Sequence, residues 1–155
     1  MGLAEGILTR MHGSSFVQTR RGVRMRAFLQ LMQPQPGARV IDLGGTPSNW
    51  ELIPHQLLVT LVNLPGDQVF RTSLPDGMKA VAGDATNLRH VFADNSFDIV
   101  FSNTLLEHLG DLPRQASFAS EVLRLAPAYW MQTPGTWFPI EPHTGTPYFW
   151  HLPPR

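Results

Sequence analysis

The sequence predicts a doubly wound α/β fold on a mainly parallel sheet of about five strands. Three observations carry that expectation. Short apolar segments alternate with helical or loop segments between residues 39 and 133. Polar residues close four of those segments, Asp42, Asn63, Asp84 and Asn103, at intervals of 21, 21 and 19 positions, the repeat of a β-α-β unit. A length of 155 residues suffices for one core with a sheet and covering helices but not for two. The expected organisation is a single domain over residues 1–155, with a helical segment at 1–36, an α/β core at 37–133 and a tail at 134–155.

Each element has its own signal. Residues 14–32 place Phe16, Val23, Ala27, Phe28, Leu31 and Met32 at near-helical spacing, with Arg20, Arg21, Arg24 and Arg26 between them, which predicts an amphipathic helix with a basic outer face. Pro34, Pro36 and Gly37 stop it, because proline removes a donor and restricts the residue before it. Residues 39–43 form the first expected strand. Residues 57–62, bounded by Pro54 and by Pro65-Gly66, form the second, and the gap between them leaves room for only a short helix. A weaker third strand is expected at 79–82 and a fourth at 97–101, after the polar turn Asp94-Asn95-Ser96. Residues 105–109 and 115–125 read as helical and 128–133 as the fifth strand, joined by right-handed crossovers.

From Pro134 onward prolines alternate with Trp137, Phe138, Tyr148, Phe149 and Trp150, so regular structure is not expected there. So many rings are costly to leave in water, and the tail should pack on the domain, cover a site or meet another chain.

Composition narrows the function classes. Twelve basic and twelve acidic residues leave a net charge of +0, without the positive excess of a protein that grips nucleic acid through phosphates. The absence of cysteine excludes disulfides, thiolate metal sites and a thiol nucleophile. No apolar run reaches signal-peptide or membrane-spanning length, so a cytoplasmic protein with no membrane partner is the expectation.

Ligands of a doubly wound sheet bind beyond the carboxyl ends of its strands, near the point where strand order reverses. Strand-end residues are therefore the candidates. Gly44 and Gly45 after the first strand allow a sharp turn and close approach to a ligand, or form an ordinary strand-to-helix turn. Asp84 either binds a ligand or caps the turn that follows it, and Asn63 is equally well read as a ligand contact or a turn residue before Pro65. Asn103 with Glu107 and His108 either faces the site or starts a solvated helix.

Val40-Ile41-Asp42-Leu43-Gly44-Gly45, Gly83-Asp84-Ala85 and above all the run 95–109 ending in Glu107-His108-Leu109 resemble the class I S-adenosylmethionine-dependent methyltransferases, over roughly residues 39–133. The resemblance implies a Rossmann-like methyltransferase fold with S-adenosylmethionine as cofactor. It implies that Gly44 and Gly45 pass under the methionine part, that Asp42 orients its amino group, and that Asn63 stands where an acid usually takes the ribose hydroxyls. Asp84 would accept from the adenine amine, the Ala85 amide would serve a ring nitrogen, and Asn103 would complete the rim. The segments 133–143 and 151–153 also resemble the region after the fifth strand in some members.

The chain departs from the family at several positions. Thr46 and Ser48 replace further glycines, Asn63 replaces the ribose acid, and Leu125-Ala126-Pro127 replaces a Pro-Gly-Gly-like turn. The resemblance also implies that the usual C-terminal strands are lacking after the fifth. A homodimer, or the aromatic tail, would then cover the open sheet edge or pack the tail itself.

Methyl transfer from a sulfonium is an in-line displacement that chiefly demands orientation of the acceptor. A hydroxyl acceptor also needs a general base, for which His108 and His143 are the candidates, with Glu141 as orienter. Each histidine has a plain alternative, His108 as a solvated helix residue and His143 as a loop residue. The acceptor class is a small molecule or a glycan-like molecule. No His-Glu-x-x-His spacing occurs, so no metal is expected. Rival readings are a non-catalytic cofactor-binding remnant or partner subunit, and an RNA methyltransferase using its arginine-rich helix. A nicotinamide oxidoreductase is a third, against which stands the lack of a Gly-x-Gly-x-x-Gly fingerprint.

Overall fold

A computed structural model describes residues 15–133, with side chains from residue 20 onward. The chain divides into a compact unit, Gly22–Thr133, and a second unit formed by Met1–Arg21 and Pro134–Arg155. The aromatic tail, with Glu141 and His143, lies outside the described residues.

The order of elements is α1 (Ser15–Met32), β1 (Arg39–Leu43), α2 (Pro47–Trp50), β2 (Leu58–Asn63), a 3-10 turn (Gln68–Arg71), β3 (Met78–Ala82), β4 (Ile99–Asn103), a second 3-10 turn (Leu106–His108), α3 (Leu112–Leu125) and β5 (Ala128–Gln132). The five strands form one sheet in the order β3-β2-β1-β4-β5, with every pairing parallel. Strand order reverses between β1 and β4, and all strand ends that carry the candidate residues reach the same rim.

The β1, β2 and β4 strands are apolar enough to be buried on both faces, as a parallel sheet requires. Ile41, Leu43, Val62 and Val100 pack with Phe118, Val122 and Leu125 of α3. Val40, Val59, Leu61, Ile99 and Phe101 pack instead with Met25 and Phe28 of α1, and with Trp50 and Ile53 after β1. The helices thus cover opposite faces, which is the doubly wound arrangement that the sequence predicts.

Three sequence expectations shift. Among the described side chains of α1 the buried apolar ones are Met25 and Phe28, whereas Val23 and Leu31 are 53% and 71% exposed, because the helix touches the sheet along a narrower stripe than its apolar content implies. The fourth strand runs two residues later than 97–101. Asp98 precedes it, accepting from the Arg39 amide at 2.7 Å and donating its own amide to the Arg39 carbonyl at 2.9 Å. Residues 105–109 make only a 3-10 turn, and α3 starts earlier than 115, where Asp111 Oδ1 accepts from the Arg114 amide at 3.0 Å as an N-cap.

Candidate functional site

The turn after β1 is the centre of the rim. Gly44 has φ +74°, a conformation that glycine adopts without strain, and its amide donates to the Val62 carbonyl at 2.8 Å. From the end of β2, Asn63 Nδ2 donates to the Gly45 carbonyl at 2.8 Å and ties the turn to its neighbouring strand. A side chain at Gly45 would overlap the Asp42 carboxylate, so the backbone there rests directly on that acid.

Asp42 is fully buried and offers no exposed surface to a ligand. Side chains alternate along a strand, and Asp42 shares with Val40 the face that α1 covers. There Trp50 Nε1 donates to Asp42 Oδ2 at 2.8 Å, while Oδ1 has no partner among the described residues. Burial pushes the Asp42 pKa up to about 7, against the opposing effect of the Trp50 bond. Asp42 therefore supports the glycine turn from beneath instead of standing at its open side.

Asp84, after β3, is partly exposed and has both carboxylate oxygens engaged. Oδ1 accepts from the Thr86 amide at 2.9 Å and from its hydroxyl at 2.7 Å, and Oδ2 pairs with Arg114 of α3 at 3.1 Å. Burial acts to raise its pKa, but the bonds from Thr86 and Arg114 outweigh that and hold it below the usual carboxylate value. The turn-capping role is thus present, and each oxygen still has acceptor capacity toward solvent. Ala85 is buried beside it.

Asn103 ends β4 half-buried, and Thr104 follows with φ +60°, a left-handed conformation that costs a β-branched residue energy. That twist turns the chain so that the Leu105 side chain lies over Gly44, about 3.0 Å from where a Cβ would stand. Glu107 Oε2 accepts from Thr133 at 3.0 Å, and its Oε1 is buried without a partner among the described residues. His108 is exposed in the turn on this same side of the sheet.

With Leu105 over Gly44, open space lies on the other side of the turn. A cleft of about 480 Å³ runs between Thr46 and Pro47 after β1 and the segment Gly66–Thr72 after β2. Its walls include Asp67, Gln68 and Thr72. The structure therefore gathers Gly44, Gly45, Asn63, Asp84, Ala85 and Asn103 at one rim. The sequence reading missed Trp50, Thr104, Leu105 and Arg114, none of which carries a local signal of its partner across the fold, and Asp67, whose bond from the Val69 amide is local.

Residues 52–127, from the end of the first loop to the start of β5, match a family model described as a methyltransferase domain. Over those residues the chain is a methyltransferase domain, as the sequence resemblance implies. This methyltransferase domain also shares its fold with solved structures of low sequence identity. A protein of Anabaena variabilis, described as a methyltransferase of an antibiotic biosynthesis pathway, is 21% identical, with 66% of this chain and 40% of that one covered and a TM-score of 0.55. The cyclase SpnF is 18% identical, with 74% and 42% covered and a TM-score of 0.55. Phosphoethanolamine N-methyltransferase 1 of Haemonchus contortus, bound to phosphoethanolamine and S-adenosylhomocysteine, is 20% identical, with 70% and 24% covered and a TM-score of 0.50. The methyltransferase domain thus spans less than half the length of each of these chains. A comparison with curated proteins found no match. Among the described residues no helix is long and apolar enough to cross a membrane, and no cluster of metal-ligating side chains occurs.

Proposed function

We propose that this domain binds S-adenosylmethionine at the carboxyl rim of its sheet, and that the protein transfers the methyl group to a small-molecule or glycan-like acceptor. One observation carries the reading: a positive-φ glycine turn, pinned by Asn63 and bordered by a cleft of about 480 Å³, lies on the same rim as the partly exposed carboxylate of Asp84. That volume suits a nucleoside-sized ligand. The chemistry of the donors fits as well, since Asp84 has acceptor capacity for an exocyclic amine and the glycine turn presents backbone at close range.

In this reading Gly44 and Gly45 approach the methionine part, Asp84 takes the adenine amine and the Ala85 amide a ring nitrogen. Asn63 and Asn103 border the ligand, and Asp42 acts from below by supporting the turn. Bound cofactor supplies a sulfonium methyl, and the domain contributes orientation and exclusion of water. His108 is the described candidate for taking a proton from a hydroxyl acceptor; His143 and Glu141 keep that candidacy from the sequence alone.

Binding without turnover is the second reading. Its supports are the sealed Asp42, the engaged Asp84 and the likeness to a cyclase, since a shared fold does not fix the reaction. The neutral net charge disfavours an RNA acceptor.

Calorimetry with S-adenosylhomocysteine tests the reading. The parent protein should bind, and Asp84→Ala should lose about tenfold or more in affinity. Absence of binding by the parent overturns the proposal, and equal affinity in the variant overturns the adenine assignment.

A further inference from the structure

The carboxyl of Asp42 lies directly beneath Gly45, so close that a side chain at that glycine would overlap it. One thickness of backbone therefore separates this acid from whatever rests on the turn. Trp50 Nε1 donates to Oδ2, whereas Oδ1 is buried without a partner among the described residues. An ionised carboxyl in such a place has one hydrogen bond to set against the loss of water, which is why its pKa stands at about 7. The surroundings supply no counter-charge. Strands β2 and β4 flank Asp42 with Leu61 and Phe101 and contain no titratable residue. From α1 the cluster on this face takes Met25 and Phe28. The loop after β1 brings Trp50, with Glu51 exposed beside it and His55 edge-on to the Trp50 ring, where burial lowers the histidine's pKa. Burial and the Trp50 bond are the causes of the raised Asp42 pKa, and neither His55 nor an arginine of α1 is among them.

A positive charge on the open side of the turn would compensate the ionised carboxyl, since little water lies between the two to screen them. S-adenosylmethionine carries such a charge on its sulfonium. S-adenosylhomocysteine, whose sulfur is a neutral thioether, does not. From this placement we infer that Asp42 is a charge sensor, which releases its proton to solvent when the sulfonium form rests on the glycine turn and keeps it when the product does. The inference rests on the S-adenosylmethionine reading above and adds a regulation to the same site. A group that loses its proton on binding strengthens that binding as pH rises toward the pKa of the free protein. The cofactor is therefore held more tightly as pH approaches 7, while the product, lacking the charge, gains no such hold.

Calorimetry on the full chain measures both ligands from pH 5.5 to pH 7. The ratio of affinities, S-adenosylmethionine over S-adenosylhomocysteine, should climb about fivefold in the parent over that range. At pH 6.5, two buffers of different ionisation enthalpy should register the release of roughly half a proton more for the cofactor than for the product. Asp42→Asn keeps an acceptor for Trp50 but has no proton to give, so its ratio should stay flat and the two ligands should release protons alike. His55 titrates in both proteins and drops out of the comparison. Infrared difference spectra of the parent at pH 6 need no variant: the stretch of a buried neutral carboxyl should fall with cofactor and persist with product. A flat ratio in the parent, a climb that survives in Asp42→Asn, or a carboxyl band unmoved by the cofactor overturns the inference. Failure of the parent to bind either ligand overturns the cofactor reading itself, and the two failures are therefore distinct.

Discussion

The indole nitrogen of Trp50 donates to Asp42 Oδ2 at 2.8 Å inside a fully buried aromatic cluster, in which Trp50 stands 5.0 Å from Phe101 and 5.7 Å from Phe28. A carboxyl held there resists ionisation, and its pKa rises to about 7 from an ordinary 3.8. Between those values the folded chain retains a proton that the unfolded chain has lost. The contribution of Asp42 is therefore fully present below about pH 4 and is lost as pH rises toward 7, by at most ~1.4 kcal/mol per pH unit. His55 packs edge-on against Trp50, and burial lowers its pKa below 6.5, which gives a slope of opposite sign just below that value. The informative quantity is consequently a difference between proteins. Asp42→Asn keeps an acceptor for Trp50 and removes the ionisation, so its stability relative to the parent should climb steadily from pH 4 to pH 7 in urea titrations. A flat difference across that range would show that Asp42 ionises normally.

The Asn63 to Gly45 bond predicts an ordered pair of stability losses. Asn63→Ala removes one donor from a partly buried carbonyl and should cost about 1 kcal/mol. Asn63→Asp restores an acid at the strand end but sets a carboxylate against that carbonyl, and should cost about 2 kcal/mol. Denaturant midpoints measure both, and an Asp variant as stable as the parent contradicts the bond.

Thr104 has φ +60°, with its amide donating to the Gln132 carbonyl at 2.8 Å. Asparagine tolerates this conformation better than any β-branched residue, so Thr104→Asn should stabilise the domain by about 1 kcal/mol. Loss of stability on that substitution would mean that the threonine side chain is worth more than the strain it carries.

Gly45 and Gly37 separate two costs of adding a side chain. At Gly37, with φ +78° and open space around it, alanine meets only conformational strain, about 1 kcal/mol. At Gly45 the new Cβ collides with the Asp42 carboxylate, and Gly45→Ala should cost about 3 kcal/mol or more. Combining Gly45→Ala with Asp42→Ala should cost less than the two separate losses together, because the collision disappears. Additive losses in the thermal midpoints would place the collision elsewhere.

Much of the fold can be read from local pattern. Short apolar runs such as 39–43 and 57–62, broken by Pro54 and Pro65-Gly66, are buried strands in any α/β arrangement, and Pro34-Gln35-Pro36-Gly37 ends the first helix whatever lies beyond it. The recurrence of Asp42, Asn63, Asp84 and Asn103 likewise locates the rim, since a parallel β-α-β repeat returns each strand end to the same side of the sheet. The helix face was harder to read, as Val23 and Leu31 have the spacing of core residues but look outward.

The sequence by itself determined which segments become strands, the methyltransferase-domain match and the rim to which the strand-end residues return, because strand spacing and turn residues act within a few positions of the chain. Only the tertiary structure decided what each rim residue does there. Asp42 faces Trp50 because its strand alternates, Asn63 meets Gly45 because β1 and β2 are neighbours, and Asp84 meets Arg114 because α3 begins beside the end of β3. Such partners lie 8, 18 and 30 positions apart, and the last two, on separate elements, meet only once the sheet has paired and its helix has packed.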